Sequence, residues 1–434
     1  MDTFRINTPI FPSVDATAIE PAETSAAEAK PETLKPSKHE KLKPGTLEPT
    51  HYHYIDALRG WAILVVLFFH CSLHIPNLPH RLLRFCDFGK YGVQLFFVLS
   101  ALTLLLSFHG RRENQAVRNF YLRRLFRIAP LFWFGIILYN STGLHPNIFS
   151  PAGVTWWQIL ATFTFMHGWY PTFINSVVPG GWSIAAEMMF YVVFPVLAVW
   201  LSSQKRILLA LLVSLLFSTA LNDILAVCMG PFWQGHREMP LEAFLNWWFP
   251  TQLPVFLIGF LLYGKIKALA GSARTLRRRQ TALACVGGAC LMIAFLIYAA
   301  AVQDFILIHT RTTGILFAAF AAAFALLVYG LALVPFPLFV NRFMRYLGII
   351  SFSGYIDHFF VLDRIEPTIN YVQQHFMLSP VVDFVVFCLA GLLTTVGVAT
   401  ATYHWIEKPG IALGKKWISY VDAKTAALSV KHAS

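Results

Sequence analysis

Apolar residues run through most of the chain in long stretches, without the alternation of a surface strand. Runs such as 207–216 and 317–327 are apolar on every face of a helix. Stretches of about 18–25 apolar residues recur, and a helix of about 20 residues crosses a hydrocarbon core of about 30 Å. A membrane β-barrel would instead show short alternating segments. The pattern predicts an all-α, polytopic membrane helical bundle.

The stretches predict ten spanning helices, near residues 57–75, 92–109, 128–144, 182–201, 207–228, 247–264, 280–301, 312–334, 346–363 and 382–405. One further apolar segment, 154–170, is ambiguous. It contains three tryptophans and His167, and aromatic side chains of this kind favour the membrane–water interface. We therefore predict that 154–170 lies at the membrane surface.

The distribution of Lys and Arg supports this assignment. With ten spans and a cytosolic N-terminus, and with the first 50 residues left out of the count, the inner side carries 22 basic residues and the outer side 6. An eleventh span at 154–170 would reverse every later loop and give 10 inside and 18 outside. Because basic loops stay in the cytosol, we predict ten spans with both termini cytosolic, in a cell membrane and most simply a bacterial inner membrane.

Composition narrows the function classes. Only 13% of the 434 residues are charged, about half the share in soluble domains, which excludes a soluble enzyme. The net charge of +12 follows from the cytosolic loops, so we expect no nucleic-acid partner. Residues 1–54 are polar and predict a disordered cytosolic tail, 55–410 form the membrane domain, and 411–434 a C-terminal cytosolic tail. Because only 29 residues follow the last predicted span, we expect no hydrolase-like domain there.

Two ionisable side chains inside the spans are the first candidates for chemistry. His70 follows Arg59 by eleven residues, which places it about 16 Å deeper along the first helix. A histidine there could act as a general base. Glu187 lies at a similar depth in the fourth span. The alternative for both residues is a packing role between helices.

Two further groups could support them. Asp357 and His358 are adjacent in the ninth span and point to different faces of the helix, so at most one should line a shared cavity. Arg123, Arg124 and Arg127 open the third span, and Arg59 enters from the same side. Arginine suits phosphate binding, although basic residues here also fit simple anchoring at the cytosolic surface.

Six segments, in order along the chain, resemble the acyltransferase-3 family of multi-pass membrane acyltransferases. They are residues 59–70, 91–100, 123–130, 182–191, 347–358 and 403–409. The first resembles the family's signature of Arg, ten residues and His, and the fourth its Trp-Ser, Glu and Phe-Tyr block. Gln94 and Ala101 depart from the Asp and Gly that many members have there.

The resemblance implies an O-acetyltransferase that moves an acyl group, commonly acetyl, from cytosolic acyl-CoA to a hydroxyl of a cell-surface or exported glycan. It also implies a role in polysaccharide biosynthesis. Acyl-CoA would be a co-substrate, with no bound cofactor or metal, and the acceptor a glycan or a lipid-linked sugar.

The same resemblance implies roles for individual residues. His70 and Glu187 would be catalytic, and Arg59, Arg123, Arg124 and Arg127 would bind the acyl-CoA phosphates. The resemblance also implies that four further residues line the cavity: Trp182, Ser183, Tyr355 and His358. Direct transfer and an acyl-His intermediate both fit the residues.

Other functions also fit intramembrane His, Glu and Asp side chains. A multi-pass transporter using them as a proton relay is the main alternative, although no internal symmetry between two halves is evident. A flippase or sensor that binds a lipid-linked sugar without chemistry is another. Among acceptors, O-antigen, exopolysaccharide, peptidoglycan and a small glycosylated metabolite all fit the sequence.

Overall fold

The structure, a computed structural model, describes residues 52–110, 115–144, 149–233, 239–269, 276–302, 313–377 and 379–433. Within these ranges every regular element is helical, which confirms the predicted all-α class. The fifteen α-helices described are α1 His53–Leu73, α2 His80–Asp87, α3 Gly92–His109, α4 Ala116–Thr142, α5 Trp156–Phe163, α6 Gly181–Trp200, α7 Gln204–Trp233, α8 Met239–Trp247, α9 Phe249–Lys267, α10 Leu276–Val302, α11 Thr313–Leu333, α12 Arg342–Ile349, α13 Ser351–Phe376, α14 Pro380–Thr402 and α15 Lys408–Ala433. The predicted N-terminal tail lies almost wholly outside the described residues.

Eight helical segments among the described residues are long and apolar enough to cross a membrane. They contain α1, α3, α6, α7, α9, α10, α11 and α14. The protein is thus a multi-pass membrane protein. The other two predicted spans, 128–144 and 346–363, largely overlap α4 and α13, which are 27 and 26 residues long; the second span begins in α12. Both are less apolar than the rest because they carry the arginine cluster and the Asp357–His358 pair.

The ambiguous segment 154–170 forms no long helix. It contains α5, of eight residues, and a 3₁₀ turn at His167–Trp169. A capping box, in which Thr155 and Gln158 bond reciprocally, fixes the start of α5. Eight residues extend only about 12 Å, too short to cross a bilayer. Trp156 and Trp157 are exposed, as expected of a segment at the membrane surface.

Helix α1 lies at the centre of the bundle, in contact with α3, α12, α13 and α14. It approaches α12 closely because both helices have a glycine at the contact. A Cβ on Gly60 would lie 2.0 Å from the carbonyl oxygen of Met344, and one on Gly348 would lie 1.7 Å from that of Asp56. The two backbones therefore meet where no other side chain fits.

The C-terminal segment is helical. The sequence predicts a cytosolic tail from residue 411, but after a π-helical turn at Tyr403–Glu407 the chain continues as α15 to Ala433. Helix α15 packs antiparallel on the first half of α4. Gly410 lies against Pro130, Gly414 lies against Phe126, and Asp422 pairs with Arg118. Small residues at 410 and 414 permit this close contact.

Candidate active site

A cavity lies among α1, α3, α4, α6 and α13, at the level where the predicted arginine cluster enters the bundle. It encloses about 650 Å³, its open mouth included. Its walls combine apolar side chains such as Phe96, Phe97 and Ile184 with polar ones. The polar residues are Arg59, Ser100, Arg124, Arg127, Ser183, Glu187, Tyr191, Ser351 and Tyr355.

Three of the four predicted phosphate-binding arginines line this cavity, Arg59 from α1 and Arg124 and Arg127 from α4. Positions 124 and 127 share a face of α4 because they are three residues apart. Arg123 points elsewhere and is not among the residues that line the cavity. The structure thus brings Arg59 together with Arg124 and Arg127, which follow it by 65 and 68 positions, as a binding site for a polyanion would need.

Each cavity arginine has a different surrounding. Nη2 of Arg59 donates to Oγ1 of Thr103 at 3.4 Å. Nη1 of Arg127 lies 3.7 Å from Oε1 of Glu407. The Arg124 guanidinium lies 5.9 Å from the centre of the Tyr191 ring, and within the described residues its Nε has no hydrogen-bond partner. Arg124 is therefore a cation without a described carboxylate contact.

Glu187 is held inside the cavity by two hydroxyl groups. Oγ of Ser100 and the hydroxyl of Tyr191 both donate to Oε1, at 2.6 and 2.5 Å. No described hydrogen bond uses Oε2, so that oxygen can accept from a ligand in the cavity. Sequence reasoning missed both partners. The spacing of four between Glu187 and Tyr191 on one helix was a usable signal, whereas Ser100 comes from another helix.

A small hydrogen-bond network links Ser183 and Tyr355, which line the cavity, to Gly180. The Tyr355 hydroxyl donates to the carbonyl oxygen of Gly180 at 3.0 Å and accepts from Oγ of Ser183 at 2.9 Å. Gly180 has a φ of +76°, and a Cβ there would lie 3.0 Å from the Tyr355 hydroxyl, so this turn requires glycine. Of the four predicted lining residues, Ser183 and Tyr355 line the cavity; Trp182 stacks on Trp247 and His358 lies deeper.

His70 lies beyond this network. Its ring centre is 5.1 Å from that of His358 and 4.3 Å from that of Phe359. The Tyr355 ring, which lines the cavity, is 5.7 Å from His358. His70 is not among the lining residues, and the described contacts of Glu187 do not include it. Tyr355 and His358 thus connect the cavity to His70.

Two carboxylates near the cavity have structural partners. Glu407, in the π-helical turn, accepts from Oγ of Ser353 at 2.8 Å and faces Arg127. Asp357 is fully buried and accepts from Oγ1 of Thr402 at 2.5 Å. The sequence did not identify Glu407, although it lies in the last of the six resembling segments. No group of three or more His, Cys, Asp or Glu side chains in the described ranges could hold a metal ion.

The two departures from the family pattern are both buried. Gln94 donates from Nε2 to Oε1 of Gln252 at 3.2 Å, joining α3 to α9. Ala101 lies at the same helix pair, where a Cβ on Gly259 would be 2.6 Å from its own. Both residues therefore contribute to the packing of α3 on α9.

Comparison with known proteins agrees with the geometry. The family model of the acyltransferase-3 acyltransferase domain matches residues 52–404. The putative peptidoglycan O-acetyltransferase YrhL of Bacillus subtilis is 25% identical over 83% of this chain and 55% of its own length. The O-acetyltransferase OatA of Staphylococcus aureus is 23% identical over 87% and 60%.

The acyltransferase MdmB of Streptomyces mycarofaciens is 27% identical over 48% of the chain and 56% of its own length. The chain thus spans a little over half the length of these relatives. No solved structure matches it significantly. Because the family model covers most of the chain, the protein belongs to the acyltransferase-3 family.

Proposed function

We propose that the protein transfers an acyl group, most simply acetyl, from cytosolic acyl-CoA to a hydroxyl of a cell-surface glycan. The observation that carries the proposal is the cavity in which Arg59, Arg124 and Arg127 converge. Three guanidinium groups with one lining carboxylate, Glu187, leave an excess of positive charge. Acyl-CoA carries several phosphates, and Arg binds phosphate oxygens through paired N–H donors.

The apolar walls suit the rest of the donor. Phe96, Phe97 and Ile184 line the space between the arginines and Tyr355. Arg59 and His70 lie eleven residues apart on nearly the same face of α1, a separation of about 16 Å. An extended donor whose phosphates bind at Arg59 would thus direct its thioester towards His70, once the Tyr355–Ser183–Gly180 network moves aside.

The reaction then follows from the side chains present. In direct transfer, the acceptor hydroxyl gives its proton to His70 while its oxygen bonds to the thioester carbonyl carbon. The carbon–sulfur bond breaks, and the leaving thiolate takes the proton from His70 to give free CoA. Glu187, held by Ser100 and Tyr191, would bind the donor or acceptor through Oε2.

The names of the relatives support the acyl group and the acceptor. YrhL is described as a putative peptidoglycan O-acetyltransferase and OatA as an O-acetyltransferase. We therefore choose acetyl-CoA and soluble peptidoglycan fragments as the probes for a first test, and we propose that the protein resides in the cell membrane of a bacterium.

The test uses full-length protein in liposomes with labelled acetyl-CoA and peptidoglycan fragments. We expect release of CoA and label in the fragments, both lost in His70→Ala. The control variant His375→Ala, at an exposed position, should remain active. Normal acyl transfer by His70→Ala would contradict the assigned base. Uptake of a substrate without release of CoA would instead support a transporter.

A further inference from the structure

The His358 ring is buried completely and has a defined hydrogen-bonding state. Its Nδ1 lies 2.8 Å from the carbonyl oxygen of Tyr355 and 3.1 Å from that of Gly354. A carbonyl oxygen only accepts, so Nδ1 must carry the proton. In a neutral imidazole the other nitrogen, Nε2, then has a free lone pair. Within the described residues, Nε2 of His358 has no hydrogen-bond partner although it is fully buried.

An unpaired acceptor at this depth is unfavourable unless a donor reaches it. Three rings surround His358: those of His70, Phe359 and Tyr355. Phe359 has no donor, and the Tyr355 hydroxyl already donates to Gly180. The remaining polar ring is that of His70, whose own described contacts are all with other rings.

We propose that His358 is a positioning residue for His70: its Nε2, which has no partner among the described residues, accepts a hydrogen bond from a ring N–H of His70 when the neighbouring His70 ring turns towards it. This bond fixes one tautomer and leaves the other His70 nitrogen bare for the acceptor hydroxyl. The arrangement corresponds to the role of a carboxylate that orients a histidine base, with a neutral imidazole in its place. The inference rests on the proposed function only in taking His70 as the base.

Two substitutions separate this role from simple packing. In His358→Asn, the amide can still donate to the Tyr355 carbonyl as Nδ1 does, but nothing occupies the position of Nε2. In His358→Gln, the longer side chain can place its amide oxygen near that position as an acceptor. A structural role therefore predicts that Asn is the better replacement, whereas the positioning role predicts that Gln is.

We expect His358→Asn to lower kcat about 100-fold or more with the KM for acetyl-CoA nearly unchanged. His358→Gln should retain most of the activity. The matched control is His375→Asn, because His375 makes the same Nδ1 bond to a carbonyl, that of Tyr371, at an exposed position of the same helix. Equal activity of His358→Asn and wild type, or Asn outperforming Gln, would overturn the proposal.

A second measurement is independent of activity. The ¹⁵N spectrum of histidine-labelled protein in nanodiscs, assigned by comparison with His70→Gln, reports the His70 tautomer. We expect a single tautomer in the wild type and a mixture in His358→Asn. An unchanged His70 signal would refute the positioning role even if no acyl transfer to peptidoglycan fragments were observed. Absence of CoA release in the wild type would count against the proposed function alone.

Discussion

Arg124 is the cavity arginine whose role is easiest to isolate. Arg127 faces Glu407, so removing it would leave a buried carboxylate unpaired, whereas Arg124 has no described carboxylate contact. We expect Arg124→Ala to weaken CoA binding about 10-fold or more, because one charge-assisted phosphate contact is lost. Arg206→Ala removes the same charge from an exposed position outside the cavity and should change little.

Calorimetry of the purified protein at several salt concentrations provides the measurement. Wild-type affinity for CoA should fall as salt rises, and the dependence should be shallower in Arg124→Ala, since one fewer ionic contact is screened. A salt-independent wild-type affinity would argue against the phosphate role of the cluster.

Two threonines of α14 differ in whether their hydroxyl group has a hydrogen-bond partner. Oγ1 of Thr402 donates to the buried Asp357, whereas Oγ1 of Thr395 is buried with no partner among the described residues. Thr402→Val should lower the free energy of unfolding by about 1–3 kcal/mol, because Asp357 loses its donor. Thr395→Val should be neutral or slightly stabilising. Thermal unfolding of the two variants would test this, because both replace a buried threonine of α14 by valine. Equal losses of stability in the two variants would contradict the prediction.

The sequence singles out residues whose ionisable side chains are costly to place in a membrane. His70, Glu187 and the arginines stand out because ionisable groups in spans need a reason to be there. The hydrogen-bond partner Ser100 was not predictable, since it reaches Glu187 from another helix that only tertiary packing brings close. A serine in an apolar span is uncharged, so the sequence alone does not mark it as a site residue.

Helices α1 and α12 depend on glycine at their contact. In Gly348→Ala the new methyl group would overlap the Asp56 carbonyl, so the helices must separate. We expect a loss of stability of about 1–3 kcal/mol or more. Gly287 of α10 is the matched control, because a Cβ there meets nothing within 4 Å. Gly287→Ala should be stabilising by about 0.5–1 kcal/mol, since alanine favours a helix.

Thermal unfolding in one detergent compares the two variants. If Gly348→Ala were as stable as Gly287→Ala, the close approach of α1 and α12 would not exist in the folded protein.

At the scale of elements, the length of apolar runs located the spans to within a few residues, because bilayer thickness fixes that length. The sequence could not show that α4 and α13 extend beyond their apolar parts, nor that the chain after Tyr403 remains helical. Those features depend on long-range contacts, such as Gly414 against Phe126. The helix propensity of a segment carries no information about such contacts.

The whole molecule should have both termini in the cytosol. Alkaline phosphatase is active only outside the cytosol and green fluorescent protein fluoresces only when folded inside it. We expect phosphatase fusions after Pro151 and after Tyr170 both to be active, because 154–170 does not cross the bilayer. A fluorescent fusion after Ser434 should be bright. Loss of phosphatase activity between the first two fusions would show an eleventh span.

The pairing of α15 with α4 has a consequence for the cavity arginines. Arg124 and Arg127 lie on the half of α4 that α15 contacts through Gly410, Gly414 and the Arg118–Asp422 pair. Helix α15 therefore supports the part of α4 that carries the two arginines of the proposed donor site. A chain truncated just before α15 would keep every apolar span. The part of α4 that carries Arg124 and Arg127 would then lose its contact with α15.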